Sequence, residues 1–355
     1  MKILHTSDLH IESPLTAHLP SEKVRERRAE LFASFSTLID EAVRLGAKIF
    51  IIAGDLFDTE RITKTARRRI LSLIEGHPSI SFFYLAGNHE LDALVRGGER
   101  LPKNLFTFGK EWTYFAAGEL VIAGRTETAP DMFDTLSLPE DKKNVVVLHG
   151  ELRDRSDVGG VIGRRDAAGR NIDYLALGHY HSYSAERIDS RCTAVYCGTP
   201  EGRGFDEVGE KGYSLAVCDT VGITHGFVRS AKRLLLELEA DITSAHSAYG
   251  IELAVERVLL GVRSADLVRV VLVGEHYFGR RPDLAALTAR FGDRYYCFEV
   301  KDKTRLRLSA SDYENDKSLK GEFIRLVMGK EDLSVSDKEE IVACGLAALF
   351  GEGEL

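Results

Sequence analysis

The sequence predicts an α/β fold with a smaller α/β domain appended to it, and three observations carry that expectation. Through about residue 230 the chain repeats one pattern, a short apolar run rich in Ile, Val, Phe and Leu that ends abruptly in glycine and polar residues. Helical segments alternate with the early runs. Beyond residue 230 the order becomes β-α-β-α-β, which closes a small α/β domain, and two helical stretches finish the chain.

The runs KILHTSD, KIFIIAGD, SFFYLAGN, NVVVLHG and DYLALGH are nearly continuous in apolar residues, the mark of strands buried on both faces. Over 21–45, Leu31, Phe32, Phe35, Leu38, Ile39, Ala42 and Leu45 share one face, and Gly46 stands where a C-terminal cap belongs, so this segment is a helix. Segment 63–75 repeats the arrangement and ends at Gly76. The closely spaced runs WTYFAAG, LVIAG, TAVYCGT, GYSLAVCD and THGFVRS have few helical intervals and predict a more antiparallel second half. Further on come RLLLELEADI, a helix near 247–260, LVRVVLVGEH, a helix near 282–290 and YYCFEVKDK. In the last two helices Leu319, Phe323, Leu326 and Val327 align, then Ile341, Val342, Leu346, Leu349 and Phe350. There is no internal repeat, low-complexity linker or proline-rich spacer, so the domains are expected to follow one another directly.

With 355 residues, 44% apolar and 29% charged, the chain can build one large core and a smaller one. Five scattered cysteines, an odd number, predict reduced thiols buried as small apolar groups in a cytoplasmic protein. The opening MKILHTSD lacks a basic leader followed by an apolar stretch, and no apolar run reaches the length of a bilayer, so neither secretion nor a membrane span is expected. A net charge of -8 argues against broad attraction to a polyanion. A local basic patch, or cations bound at one site, would still attract a phosphodiester there.

The side chains able to hold metal fall at the carboxyl ends of successive apolar runs. Asp8 and His10 follow ILHTS, Asp55 follows FIIAG, Asn88 and His89 follow FYLAG, His149 follows NVVVL, and His179 and His181 follow YLALG. Carboxyl ends of neighbouring strands in an α/β sheet share an edge, where ligands bind. The donors are carboxylate or amide oxygens and imidazole nitrogens without a thiolate, a set suited to Mn, Fe or Zn rather than to a structural thiolate zinc site. Taken singly, each has a plainer reading as a turn, a cap or a hydrogen-bonded core histidine. Together they account for five of only 11 histidines in the chain.

The series DLH, GDLFD, GNHE, LHGE and GHYH, in this order over residues 8 to 181, resembles the motif set of calcineurin-like metallophosphoesterases. The resemblance implies a four-layer α/β/β/α sandwich over residues 1–230, a small α/β capping domain over 231–312 and C-terminal helices over 313–355. It also implies two divalent ions, manganese first, with iron or zinc as alternatives. One would be held by Asp8, His10, Asp55 and His181 and the other by Asp55, Asn88, His149 and His179, with Asp55 bridging. His89 would face the substrate, donating to a phosphoryl oxygen or protonating the leaving alkoxide. Asp58 and Glu90 would either accept the remaining N–H of an imidazole or serve as helix N-terminal charges.

The opening HTSDLHIESPL and the stretch YCGTPEGRGFDEVGEKGY are similar to the SbcD-like branch, with DLHIESPL nearer the YhaO-like members. That branch implies a DNA exonuclease or endonuclease in DNA repair acting with an SbcC-like ABC-type ATPase, and a homodimer. Between His149 and His179, the residues Arg153, Arg155, Arg164, Arg165 and Arg170 form either a flexible loop that holds phosphates near the ions or a solvated loop. Arg203 either approaches the site or sits in a turn, and Arg67, Arg68 and Arg69 read as a wet helix face. The final helices either dock a partner or pack on their own domain. One rival is a small-molecule phosphodiesterase or phosphatase with the same metal core. Another is a non-catalytic scaffold, against which the full set of expected ligands and His89 argue.

Overall fold

The computed structural model describes residues 1–15, 19–59, 62–87, 94–95, 100–156, 158–276, 280–307 and 313–350. They form two compact units, Met1–Leu234 and Leu235–Leu355. The first unit begins with β1 (Lys2–Thr6), α1 (Ser21–Leu45), β2 (Ile49–Ala53), α2 (Lys64–Glu75), β3 (Ser81–Leu85) and β4 (Leu105–Thr107). It continues with β5 (Thr113–Ala117), β6 (Leu120–Gly124), β7 (Lys143–His149), β8 (Glu151–Arg153), β9 (Val161–Gly163) and the one-turn α3 (Arg164–Ala167). It ends with β10 (Tyr174–Gly178), β11 (Ser184–Arg187), β12 (Thr193–Tyr196), β13 (Gly212–Cys218) and β14 (Ile223–Arg229).

Two six-stranded sheets result, ordered β14-β13-β1-β2-β3-β4 and β11-β12-β10-β7-β6-β5. Side chains alternate across each strand. In the first sheet Ile3, Ile51, Ala53 and Phe83 join Ile122, Val145, Val147, Ala176 and Val195 of the second in a core between the sheets. The opposite faces of the same strands, Leu4, Phe50, Ile52, Phe82 and Tyr84, pack with Phe35, Leu38 and Ile39 of α1 and Ile70 and Ile74 of α2. Burial on both faces explains why these strands read as unbroken apolar runs. Gly46 closes α1 with φ 69°, a left-handed cap suited to glycine, and the Thr63 hydroxyl caps α2 by accepting from Ala66 N. On the outer face of the second sheet, Val146, Leu148, Leu175 and Leu177 are covered by Met132 and Phe133 of a 3-10 turn and by Ala167 of α3, so this fourth layer is thin.

The expectation of a more antiparallel second half holds for the hairpins β5–β6, β11–β12 and β13–β14 but not for the middle of the second sheet. In the second sheet β6, β7, β10 and β12 are all parallel, and only the flanking β5 and β11 are antiparallel. The hairpin β13–β14 returns to pair with β1 in the first sheet. Short crossovers built from irregular turns, β8, β9 and α3 replace the long helices that usually announce a parallel sheet.

In the second unit β15 (Leu235–Asp241), α4 (Ala248–Val258), β16 (Leu267–Val273), β17 (Glu275–His276), α5 (Leu284–Phe291), β18 (Cys297–Asp302) and β19 (Arg305–Leu306) follow in order. The strands β15, β16 and β18 form a parallel sheet that packs on Val255, Leu287 and Phe291. Finally, α6 (Leu319–Met328) and α7 (Val335–Phe350) bury Ile324, Val327, Val342 and Leu346 against Tyr313. Leu319, Leu326, Ile341 and Leu349, expected on the packed faces, are exposed. Among the described residues no helix is long and apolar enough to cross a membrane. The cysteines also divide, since Cys192, Cys197 and Cys218 are buried, Cys297 is half-buried and Cys344 is exposed. Arg67 departs from the expected wet face as well, for it is buried and its Nε donates to Leu94 O at 2.8 Å.

A buried ion cluster ties α1 to the segment after β12. Arg27 donates to Glu30 (2.6 Å), Glu201 (3.2 Å) and the Gly202 carbonyl (2.7 Å), while Arg233 donates to Glu30. Breaking one member of such a cluster leaves charge buried without compensation. Arg27→Ala is therefore expected to lower the unfolding free energy by about 3 kcal/mol in a urea titration. A loss under about 0.5 kcal/mol would show that the cluster does not hold this segment.

A second expectation concerns His5, buried between the sheets with Nδ1 2.9 Å from the Tyr174 hydroxyl, which itself donates to Ser214 Oγ. Burial pushes His5 down from 6.5 to about 3. Between those values the unfolded chain binds more protons, so this stability is complete above pH 6.5 and is lost as pH falls toward 3. The slope is at most about 1.4 kcal/mol per pH unit. Denaturation of His5→Gln at about pH 5 and about pH 7 should show a flatter dependence than the parent; equal slopes would assign the effect elsewhere.

Candidate metal centre

Four strand ends, two from each sheet, bring the site together. Asp8 and His10 lie just beyond β1, Asp55 just beyond β2, His149 ends β7, and His179 and His181 follow β10. They meet at the shared rim of two stacked sheets rather than along the edge of one sheet. The loops after β1 and β2 run side by side, with Asp8 N donating to Gly54 O (3.0 Å) and His10 N to Asp55 O (3.0 Å). His179 N donates to both carboxylate oxygens of Asp8 at 3.1 and 3.0 Å. Ser7 Oγ donates to the same carboxylate, and Thr199 Oγ1 donates to the Asp8 carbonyl at 2.7 Å. Asp8, His10, Asp55 and His179 all have φ between 46° and 107°, a region that residues with a Cβ seldom occupy. Such strain persists only where the surroundings impose it, and it clusters at functional sites.

Two triads emerge, Asp8–His10–His181 and Asp8–Asp55–His149, with one ligand atom from each residue lying within 4.8 Å of the others. His10 Nε2 is 3.2 Å from His181 Nε2 and 3.9 Å from Asp55 Oδ2, and His149 Nε2 is 3.4 Å from Asp55 Oδ2. Asp8 is common to both triads, and Asp55 stands between His10 and His149. His179 belongs to neither triad, is exposed, and places its ring centroid 5.6 Å from that of His149. Asn88, His89 and Glu90 lie outside the described residues.

These side chains fit divalent ions. Two carboxylates buried this closely repel unless cations stand between them. His149 Nδ1 is anchored on Ala53 O at 2.9 Å, which turns its buried Nε2 toward the Asp55 carboxylate at 3.4 Å, where a metal shared by the two would lie. His10 Nδ1 faces Asp58 Oδ1 at 2.8 Å, and His181 Nδ1 faces Glu207 Oε1 at 2.7 Å, which directs the other nitrogen of each ring inward. Glycines permit the crowding: a Cβ on Gly87 would stand 2.0 Å from Asp55 Oδ1, and one on Gly54 would stand 2.1 Å from His149 Nδ1.

These contacts also set the charges. Burial, aided by the Arg203 guanidinium, pushes His10 down to about 4. Burial also opposes charge on His149, but the hydrogen-bonding and field of Asp55 and Asp8 outweigh it and raise it to about 9. For Glu207 burial favours the neutral acid, yet His181 and Arg203 overcome it and hold the carboxyl at about 2.

Glu207 was not legible as part of the site. It lies in the stretch YCGTPEGRGFDEVGEKGY after GHYH, but nothing in the local pattern separates it from Glu210, which is exposed whereas Glu207 is buried. Ser7 and Thr199 escape the pattern for the same reason. Arg203 does approach the site, where Asp58 (3.1 Å), Glu207 (2.7 Å) and Ser13 (3.1 Å) hold it. Between His149 and His179 the described residues include the short elements β8, β9 and α3, which carry Arg153, Arg164 and Arg165, where a flexible loop was expected. Arg153 pairs with Glu151, Arg164 with Glu186, Arg165 with Asp154 and Arg170 with Asp134, while Arg155 is exposed.

Because Glu207 orients His181, Glu207→Gln is expected to weaken manganese binding by roughly 10- to 100-fold in calorimetric titration. Equal affinity in variant and parent would remove Glu207 from the support of the centre.

The family model for calcineurin-like phosphoesterases matches residues 1–183. The chain is 28% identical over 298 residues to the uncharacterized metallophosphoesterase YhaO of Bacillus subtilis, covering 77% of this chain and 72% of that protein. It is 26% identical over 271 residues to the DNA double-strand break repair protein Mre11 of Methanosarcina acetivorans, covering 70% of this chain and 42% of that protein. With Mre11 of Sulfurisphaera tokodaii the identity is 26% over 219 residues, covering 56% of this chain and 54% of that protein. The chain thus spans less than two thirds of either Mre11 protein. These relatives agree with the SbcD-like and YhaO-like branch expected from the motifs. The match over more than half of the sequence, on a fold that gathers histidines and aspartates at one rim, makes this chain a member of the calcineurin-like phosphoesterase family and a metal-dependent phosphoesterase.

Proposed function

We propose that the protein is a two-metal phosphodiesterase acting on DNA ends. The observation that carries this reading is the pair of triads joined by Asp8, in a chain similar to Mre11 proteins. In this reading Asp8, His10, Asp55 and His181 hold one ion and Asp55, Asn88, His149 and His179 the other, with manganese the first choice. Ions bound there would supply Lewis acidity toward phosphoryl oxygens and bring the pKa of water into the neutral range. The chain itself aims the imidazoles. Glu207 accepts from His181 and the Ala53 carbonyl from His149, while the Asp58 carboxylate stands 2.8 Å from His10 Nδ1. His89 donates a proton to the leaving alkoxide.

The same reading assigns catalysis to residues 1–230, capping of DNA to 231–312 and docking of an SbcC-like ATPase to 313–355, in a cytoplasmic DNA-repair role and as a homodimer. The exposed Leu319, Leu326, Ile341 and Leu349 on the last two helices support the docking assignment. A second reading, hydrolysis of a small phosphodiester or phosphomonoester, is favoured by the carboxylate partners of Arg153, Arg164, Arg165 and Arg170, which reduce what these arginines offer to a DNA backbone.

Purified protein with manganese should cleave labelled double- or single-stranded DNA, and chelation should stop it. His89→Ala should lower turnover by at least about 100-fold with metal content unchanged. Hydrolysis of a generic phosphodiester without any DNA cleavage would decide for the second reading, and full turnover in His89→Ala would remove its assigned role.

A further inference from the structure

Tyr180 stands between His179 and His181, and its side chain is 41% exposed while Asp8, His10, Asp55 and His149 beside it are buried. It is nevertheless held on three sides. Its ring packs on Tyr196, with centroids 4.7 Å apart, and Tyr196 is itself 4% exposed. The Tyr196 hydroxyl donates to Gly150 O at 2.8 Å and accepts from Leu152 N at 2.7 Å, so the platform beneath Tyr180 is pinned to the start of β8. On another side the His179 ring lies 5.4 Å away, and that ring is in turn 5.6 Å from His149. The Tyr180 hydroxyl faces the Glu151 carboxylate, which is paired with Arg153 at 2.6 Å. Three rings thus run from His149 inside the centre through His179 to the exposed Tyr180, with Tyr196 beneath the last.

A tyrosine serving only to cover Tyr196 would gain from deeper burial. This one keeps much of its surface in water although packing on Tyr196 and His179 fixes its position. We infer that Tyr180 is a stacking shelf for the nucleobase next to the scissile phosphate, an inference that rests on the phosphodiesterase reading of the centre. A fixed aromatic ring loses little conformational freedom on binding a flat partner, and every base presents a π-face to it. The Glu151–Arg153 pair at its border adds polar groups for a base edge. The substrate class selected is a phosphate ester carrying a nucleoside, in preference to one carrying only a small alkyl group.

The test compares the p-nitrophenyl ester of thymidine 5′-monophosphate with methyl p-nitrophenyl phosphate, which share a leaving group, using full-length protein with manganese. The parent should favour the nucleoside ester in kcat/KM. Tyr180→Leu should cut that preference roughly tenfold, and Tyr180→Phe, which keeps the ring, should retain most of it. Equilibrium binding of thymidine 5′-monophosphate against methyl phosphate should show the same order, with metal content and melting temperature checked for each variant. Loss of the binding preference in the leucine variant supports the shelf even if neither ester is hydrolysed, an outcome that would instead overturn the phosphodiesterase reading. A parent without preference for the nucleotide, a leucine variant with the parent's preference, or a phenylalanine variant as impaired as leucine overturns the shelf.

Discussion

Asp8 and Asp55 are two carboxylates buried a few ångströms from one another at the rim of two stacked sheets, and much of the surrounding structure answers that concentration of negative charge. Left alone they would repel and take up protons. The chain surrounds them with the N–H of His179, the hydroxyl of Ser7 and the rings of His10, His149 and His181, with His149 Nε2 turned toward Asp55. The left-handed backbone at Asp8, His10, Asp55 and His179 is part of the same solution. Four strands end there, and each must turn its first polar residues inward within very few positions.

A second ring of contacts keeps the first in place. Glu207, Asp58 and the Ala53 carbonyl each meet the outer nitrogen of one imidazole, and Arg203 joins Asp58 to Glu207. That ring hangs on the segment after β12, which in turn is fastened to α1 by Arg27 and Glu30 through Glu201 and the Gly202 carbonyl. Core packing, a buried ion cluster and the orientation of the imidazoles are thereby mechanically linked. The linkage is electrostatic at each joint, so it depends on every charge having its partner.

The two faces of the unit serve different ends. The helices α1 and α2 bury one face of the first sheet deeply, whereas the second sheet carries only short turns on its outer side. The residues after β7 are thus free to fold into β8, β9 and α3 near the rim, where they hold Tyr196 and Tyr180. Four of their arginines, Arg153, Arg164, Arg165 and Arg170, are matched by carboxylates, which limits the basic surface this region presents and accords with a net charge of -8.

The sequence by itself determined the longer strands and helices of this protein and the placing of Asp8, His10, Asp55, His149, His179 and His181 at strand ends. Those features are local, since an apolar run cut by glycine marks both the end of a buried strand and the polar residues delivered there. Only the tertiary structure decided that the ends belong to two sheets, that β6, β7, β10 and β12 run parallel, and that Asp8 joins both triads. It alone separated buried Glu207 from exposed Glu210, and paired arginines from exposed Arg155. The physical reason is that pairing and burial depend on partners far along the chain, such as Glu207 against His181 or Arg27 against Glu201, and short-range pattern carries no record of them.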